Sequence, residues 1–261
     1  MTASTRGTHH AYARLVLETM PEESRLGLTL GFIRTFGIPD IARVLHGTGR
    51  MTGEPRARAK ATGVAMFTLI GQGLESPEGR RTVDALRRIH DRPDITPELM
   101  HYVLACFTVC PLRFIDTHGH RPVAEEERKA AYAFHLGLSD ALDLPGLPGG
   151  AGPGGGGPGG GGPDGGDLDG VERWMRDYEV RHFAPTEEAR ALWHSASHGL
   201  LAARLPSALA PLAPAVAASL LDAPLGRALR VRRPPAPVRA LVIHALRSRA
   251  RDRARTGRGT G

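Results

Sequence analysis

The chain holds 261 residues, 41% of them hydrophobic and 23% charged, enough for one substantial core and too few for several ordinary domains. That apolar fraction excludes a wholly disordered polymer. Two cysteines exclude a disulfide scaffold or a four-cysteine metal site, and no apolar run reaches the roughly 18 residues of a membrane span. The formal charge is +7, but residues 227–261 carry eleven Arg, no Lys and one Asp, a local +10 that leaves the first 226 residues at −3. The basicity is therefore a tail, suited to peripheral contact with anionic lipid or to the solvated face of a terminal helix. Nucleic acid is the less favoured partner. The segment MTASTRGTHHAYARLVLETM lacks an apolar h-region with a cleavage site, so the expectation is a cytoplasmic protein, membrane-associated through its tail at most.

In chain order, residues 1–20 read as a flexible terminus. Pro21, Glu22 and Glu23 start a helix reaching about Phe36; Gly37 and Pro39 break it, and a short helix follows to His46. A longer helix from Pro55 to about Ile70 places Arg58 and Thr62 one turn apart on one face, with Met66 and Ile70 continuing that row. The next runs from Pro77 to about Asp91; Val83, Leu86 and His90 follow its apolar stripe, and Arg80, Arg81, Arg87 and Arg88 make a cationic side. Thr96, Pro97 and Glu98 are the clearest start signal in the chain: a cap, a residue needing no N–H, and an acid at the positive end of the helix dipole. Leu99, Val103, Cys106 and Cys110 then form an apolar row, and Pro111 removes a hydrogen bond within it.

A glutamate run opens a helix from about Val123 to Leu142. Between Gly146 and Gly170, 15 of 25 positions are Gly and four are Pro, a surface insertion that cannot bury side chains or hold fixed backbone cheaply. It has no G-x-x-x-x-G-K-[ST] pattern and is not a phosphate loop. Asp169 is placed to cap a helix from Val171 to about His182. Helical patterns over 186–201, 207–221 and 236–251 complete the domain, with residues 252–261 expected as a disordered basic tail. The fold class expected is all-α: a single helical bundle, 21–145 and 171–251, interrupted by a flexible Gly/Pro-rich insertion at 146–170.

Twelve histidines and no nucleophile motif direct attention to metal chemistry. H-E-x-x-H and G-x-S-x-G are both absent. His194 and His198 stand at i and i+4, a spacing that can chelate zinc, but nothing nominates a third ligand. His118 and His120 could converge only in a loop. Cys106 and Cys110 read as small buried hydrophobes. His90, at the edge of an apolar helix face, is either a half-buried side chain with one hydrogen bond or a ligand through its neutral nitrogen.

The residues from Ala85 to Ile95, with His90 at their centre, and the run Pro97 to Leu104 resemble the central signature of the MpaB and rubber-oxygenase family. The likeness continues through Phe107, Pro111, Arg113, Asp116, Arg121 and Glu127 to Tyr132 and Leu144. Upstream, Thr35 to Ile41 and Leu45 to Gly49 are similar to the family's "T-F-x-I-P-x-I" and "L-x-x-T-G"; downstream, Trp174, Tyr178, Glu179, His182 and Phe183 are similar to "W … Y-E … H-F". The resemblance implies a helical domain binding haem b, with His90 as the proximal ligand to the haem iron and Arg58 and Thr62 as catalytic and cofactor-binding residues of the polar haem-pocket segment. It implies an oxygenase acting with dioxygen on a C=C or C–H bond of a small apolar substrate, of isoprenoid or lipid-like character. The chain departs from the pattern at Ala61, where the family has Lys and Lys60 stands one position earlier; at Arg87 for Asn; at Pro93 for Tyr; at Ala124 for a Thr or Ser cap; and at His120 and His135 for Trp. Alternatives are a haem-binding sensor or carrier without turnover, and an inactive helical scaffold of the same family.

Overall fold

A computed structural model describes residues 10–144, 146–149, 168–201 and 212–257. Most of the Gly/Pro-rich insertion, part of the expected 207–221 helix and residues 258–261 lie outside the described residues. Among those described there is no strand, and the architecture is a single-domain all-α bundle. Among the described residues nine longer helices organise it: α1 (Pro21–Arg34), α2 (Pro39–Gly47), α3 (Pro55–Gln72), α4 (Pro77–His90), α5 (Pro97–His118), α6 (Glu125–Ala141), α7 (Leu168–His182), α8 (Glu187–Ala196) and α9 (Ala236–Gly257). Shorter turns fill the joints: a 3-10 turn at Thr35–Gly37, single helical pieces at Arg50–Gly53, Ala213–Ala218 and Ala223–Ala228, and π-helical stretches at Leu15–Thr19 and Ser197–Leu201.

The starts are written in local chemistry. Ser76 accepts from the Gly79 N–H at 2.8 Å, Thr96 from Leu99 at 3.3 Å, Thr186 from Ala189 at 3.1 Å and Asp222 from Leu225 at 3.0 Å, each satisfying an orphan first-turn donor. Ala124 has no side-chain acceptor, so only half of that cap forms: Glu127 reaches back to the Ala124 N–H at 2.8 Å and is itself held by both terminal nitrogens of Arg121. Pro111 sits inside α5 without ending it.

The core is built on α5. Its residues from Leu104 to Leu112 are all buried, and its broadest packing partner is α1. Two glycines make that approach close: a Cβ at Gly27 would lie 2.5 Å from the Pro111 Cα, and one at Gly31 would lie 2.8 Å from the Cys106 carbonyl oxygen. α7 and α6 flank the other sides of α5, α8 packs on α2, and α9 lies against α5. α5 is long and apolar enough to cross a membrane, but 72% of its most apolar stretch is buried inside the bundle, which accounts for the apolarity without a bilayer.

Three expectations change. Residues 10–20, read as flexible, are helical from 10 to 19, and Tyr12, Leu15, Val16 and Met20 are buried. The apolar spacing Tyr12, Leu15, Val16 is a helical stripe that the polar residues ahead of it obscure. α7 begins at Leu168, so Asp169 is in its first turn, where it favours the dipole, and does not cap it. α9 continues to Gly257, six residues past the expected end. Its extension has anchors: Arg253 pairs with the buried Glu23, Arg247 donates to the Thr117 carbonyl at 2.8 Å, and Ala250 is buried.

Candidate functional site

The site is a helical hairpin. α3 ends at Gln72 and is capped by Gly73, whose φ of 84° suits glycine and little else. The turn that follows is tight: a Cβ on Gly79 would lie 2.7 Å from the Leu74 carbonyl oxygen. α4 packs against α3, and its last residue, His90, comes close enough to Arg58 near the start of α3 to feel its charge. Sequence alone placed Arg58 and Thr62 on one face; the hairpin adds His90 to them.

His90 is half-buried. Its Nδ1 lies 2.8 Å from the Leu86 carbonyl oxygen, a contact that requires Nδ1 to carry the proton and leaves Nε2 with its lone pair. Burial pushes its pKa below the usual histidine value, and the neighbouring Arg58 charge pushes the same way against the opposing Leu86 carbonyl. The imidazole is therefore a neutral base with one nitrogen spoken for, the state in which a histidine binds metal.

Arg58 donates to the Thr62 hydroxyl, which lies 3.4 Å from the Arg58 carbonyl oxygen. The guanidinium sits 5.5 Å above the Phe32 ring. Burial and the nearby Arg50 lower its pKa from the ordinary arginine value. A half-buried cation resting on an aromatic face and a hydroxyl, next to another cation, favours an arriving anion. These residues fit haem: an oriented neutral imidazole for the iron, and a desolvated guanidinium for a propionate or another negatively charged oxygen.

Lys60 does not join them. It lines, with Thr62, a groove of about 360 Å³ between α1 and α3 whose walls include Leu28, Phe32 and Phe67. A larger cleft of about 900 Å³ lies elsewhere, between α2, α8 and residues 229–232, and none of Arg58, Thr62 or His90 lines it. His194 and His198 have ring centroids 4.3 Å apart, but the Nδ1 of His198 is engaged with the His194 carbonyl at 2.9 Å. Among the described residues no three His, Cys, Asp or Glu side chains gather to hold a bare metal ion. Cys106 and Cys110 are free, buried thiols.

Sequence reasoning missed a buried charge network. Arg34 of α1 holds both carboxylate oxygens of Glu179 on α7, at 2.5 and 2.6 Å, and reaches Asp222 at 2.7 Å; the Tyr102 hydroxyl donates to Glu179 at 3.0 Å. Burial disfavours the Arg34 charge, but Glu179 more than offsets this and holds the pKa above the ordinary value. The available signal was a lone arginine inside the apolar run Gly31 to Phe36. Arg87, at the family's asparagine position, has an architectural role: it donates to the Ala141 carbonyl at 2.8 Å and to Asp143 at 3.1 Å, tying α4 to the end of α6.

Comparison with known proteins places the chain in a family. The chain is 30% identical over 206 residues to the ER-bound oxygenase mpaB of Penicillium roqueforti (strain FM164), covering 75% of this chain and 66% of that protein. It is 29% identical to the ER-bound oxygenase mpaB' of Penicillium brevicompactum, covering 75% of this chain and 46% of that protein. Against mpaB of Penicillium brevicompactum it is 30% identical, over 60% of this chain and 40% of that protein. The chain thus spans between two fifths and two thirds of the length of these relatives. Residues 24–252, which include α3 and α4, match the family described as ER-bound oxygenase mpaB/B'/rubber oxygenase, catalytic domain, and the chain belongs to that family.

Proposed function

We propose that this protein is a haem b-dependent oxygenase acting with dioxygen on a small apolar substrate of isoprenoid or lipid-like character. The observation that carries the reading is His90: a neutral imidazole, its Nδ1–H given to Leu86, close enough to Arg58 to feel the charge of that guanidinium, which donates to Thr62. Bound haem would supply the activation of dioxygen and the oxidation of a C=C or C–H bond. His90 would hold the iron through Nε2, and the Leu86 carbonyl, by accepting the Nδ1 proton, fixes the ring's tautomer and raises its donor strength. Arg58 would neutralise a propionate or orient a polar oxygen, with the Thr62 hydroxyl setting the guanidinium's position. Leu28, Phe32 and Phe67 give the adjoining groove an apolar wall that keeps water from the substrate.

The relatives are described as ER-bound, and we read this chain as making peripheral membrane contact. α9 is the element we assign to it: Val238 and Leu241 are exposed, and Arg249, Arg251 and Arg255 follow on the same helix, an apolar-then-basic order suited to an anionic lipid surface.

The test is an absorption spectrum of protein produced with ample haem, beside His90→Ala. A stoichiometric Soret band in the parent, lost or strongly shifted in the variant, is the expected result. A colourless, folded parent would overturn the reading in favour of an inactive scaffold. A Soret band without substrate-dependent oxygen uptake would leave a haem sensor or carrier.

A further inference from the structure

The residues around Trp174, Tyr178, Glu179 and His182, and around Tyr102, have no part in the haem reading, yet the fold brings all five together. Tyr178 stands at their centre. Its ring stacks on Trp174, with centroids 5.1 Å apart and planes at 21°, and on His182 at 4.1 Å and 19°. Across the contact between α5 and α7 it stacks on Tyr102, at 5.0 Å and 25°. Pairs such as Phe32–Phe36, at 80°, and Phe134–His135, at 88°, meet edge-on instead. Trp174, Tyr178 and His182 recur at every fourth residue of α7, so one face of that helix builds the stack. The chain has four Tyr and two Trp, and three of these oxidisable rings belong to this one series of contacts.

The series runs from the interior to the surface. Tyr102 is fully buried and Tyr178 nearly so, while Trp174 is half-buried and His182 exposed. At the inner end the Tyr102 hydroxyl donates to the Glu179 carboxylate at 3.0 Å. Arg34 holds that carboxylate and also reaches Asp222. These three charged groups sum to −1, so a proton taken up by Glu179 brings them to neutrality. Burial keeps the resting phenol protonated. Removing an electron from a buried phenol leaves a desolvated positive charge unless the proton leaves with it, and Glu179 is placed to accept that proton. Tyr102 therefore has a base within a hydrogen bond, a route of stacked rings outward, and a shell that excludes water.

We propose that Tyr102 is a redox-active tyrosine, connected to electron donors in solution through Tyr178 and Trp174. A one-electron oxidant of the high-valent metal class takes an electron from Tyr102. The phenol O–H bond breaks, its proton passes to Glu179 Oε1, and a neutral phenoxyl radical remains. Trp174 returns one electron across the Tyr178 ring, the proton goes back from Glu179 to the phenoxyl oxygen, and the oxidised indole gives its N–H proton to water. A thiol or ascorbate then restores the indole with one electron and one proton. The net change is one electron carried from a solution reductant to the oxidant. The relay consists of this chain's own side chains; its use, to discharge oxidising equivalents that miss their substrate, rests on the oxygenase reading.

The test is flash photolysis of the full chain with ruthenium(II) tris(bipyridine) and a cobalt(III) ammine as electron acceptor, freeze-quenched and read by electron paramagnetic resonance. Photogenerated ruthenium(III) draws its electron at the outer end of the stack, and the radical comes to rest on Tyr102. The expected spectrum is that of a tyrosyl radical. Tyr102→Phe removes it and leaves an indole radical in its place. Trp174→Phe keeps the stack but not its donor and also removes the tyrosyl signal, without touching the bond between Tyr102 and Glu179. Tyr178→Phe keeps the bridging ring and retains the signal. Circular dichroism confirms that each variant is folded. A tyrosyl signal that survives Tyr102→Phe belongs to another ring and overturns the inference. So does a signal insensitive to Trp174→Phe, or a parent that yields only an indole radical or none. Because the oxidant is external, the two readings fail separately: a colourless protein with the Tyr102 radical keeps the relay and loses the oxygenase, and a haem protein without that radical does the reverse.

Discussion

At the residue scale, two arginines have opposite surroundings. Arg34 is buried with two carboxylates and a tyrosine closing the network; Arg58 is half-buried with only a hydroxyl, a ring and another cation. The first arrangement holds its countercharge, and the second has no carboxylate partner among the described residues. Breaking the complete one is therefore expensive. Glu179→Gln should cost about 3–5 kcal/mol in urea unfolding, because it leaves a buried guanidinium short of its countercharge. Arg34→Met with Glu179→Leu should cost less than the single change, since both charges leave together. A loss below about 1 kcal/mol for Glu179→Gln would mean that the pair behaves as a solvated one. The site was legible in sequence as far as helical spacing reaches: Arg58 and Thr62 share a face by arithmetic, and His90 stands on an apolar edge. Their meeting depends on a hairpin closed at Gly73 and Gly79, and no local pattern states which helices fold back on one another. The Arg34 network was illegible for the same reason, its partners lying 145 and 188 residues away.

At the scale of elements, the α1–α5 contact decides how tightly the bundle closes. Gly31 lies inside a helix, where alanine is favoured by about 1 kcal/mol in isolation. Here a Cβ would meet the Cys106 carbonyl oxygen at 2.8 Å and the Cys110 Cβ at 3.2 Å, and neither a backbone carbonyl nor a buried neighbour yields easily. Overpacking of this kind costs typically 1–3 kcal/mol, so Gly31→Ala should lower the melting temperature in spite of its better helix propensity. Thermal unfolding followed at 222 nm checks this; a stabilised variant would show that α1 can slide on α5. The helices themselves were readable from apolar period, caps and proline positions; the bounds of α1 to α4 and of α6 lie close to the expected ones, as does the start of α5. The reading failed where a stripe is short, as in residues 10–20, or where arginines hide the buried side of α9. Composition marked that segment as solvated, yet long-range partners Glu23 and Thr117 hold it.

For the whole molecule, buried histidines make the fold acid-sensitive. His135 is fully buried between Tyr12 and Phe134, its Nδ1 2.9 Å from the Ala131 carbonyl oxygen and its Nε2 without a partner; burial lowers its pKa to about 4. His118 is lowered to about 4 by burial and then by Arg247 of α9. Unfolded histidine titrates near 6.5. Between these values the unfolded chain binds protons that the folded chain refuses, so stability is full above about pH 6.5 and falls as the pH drops toward 4. For His135 alone the loss approaches about 3 kcal/mol at the lower limit. Protonating His118 would also set a second positive charge against Arg247, so α9 should loosen before the core. The measurement is urea unfolding of the parent and His135→Phe at several pH values between 4 and 7.5, with hydrogen exchange on α9. Phenylalanine keeps the ring between Tyr12 and Phe134 and removes the titration, so its stability should fall less steeply below pH 6.5 while α9 still exchanges early. Parallel curves for the two proteins would show that His135 takes up its proton in the folded state, and that the acid sensitivity arises elsewhere.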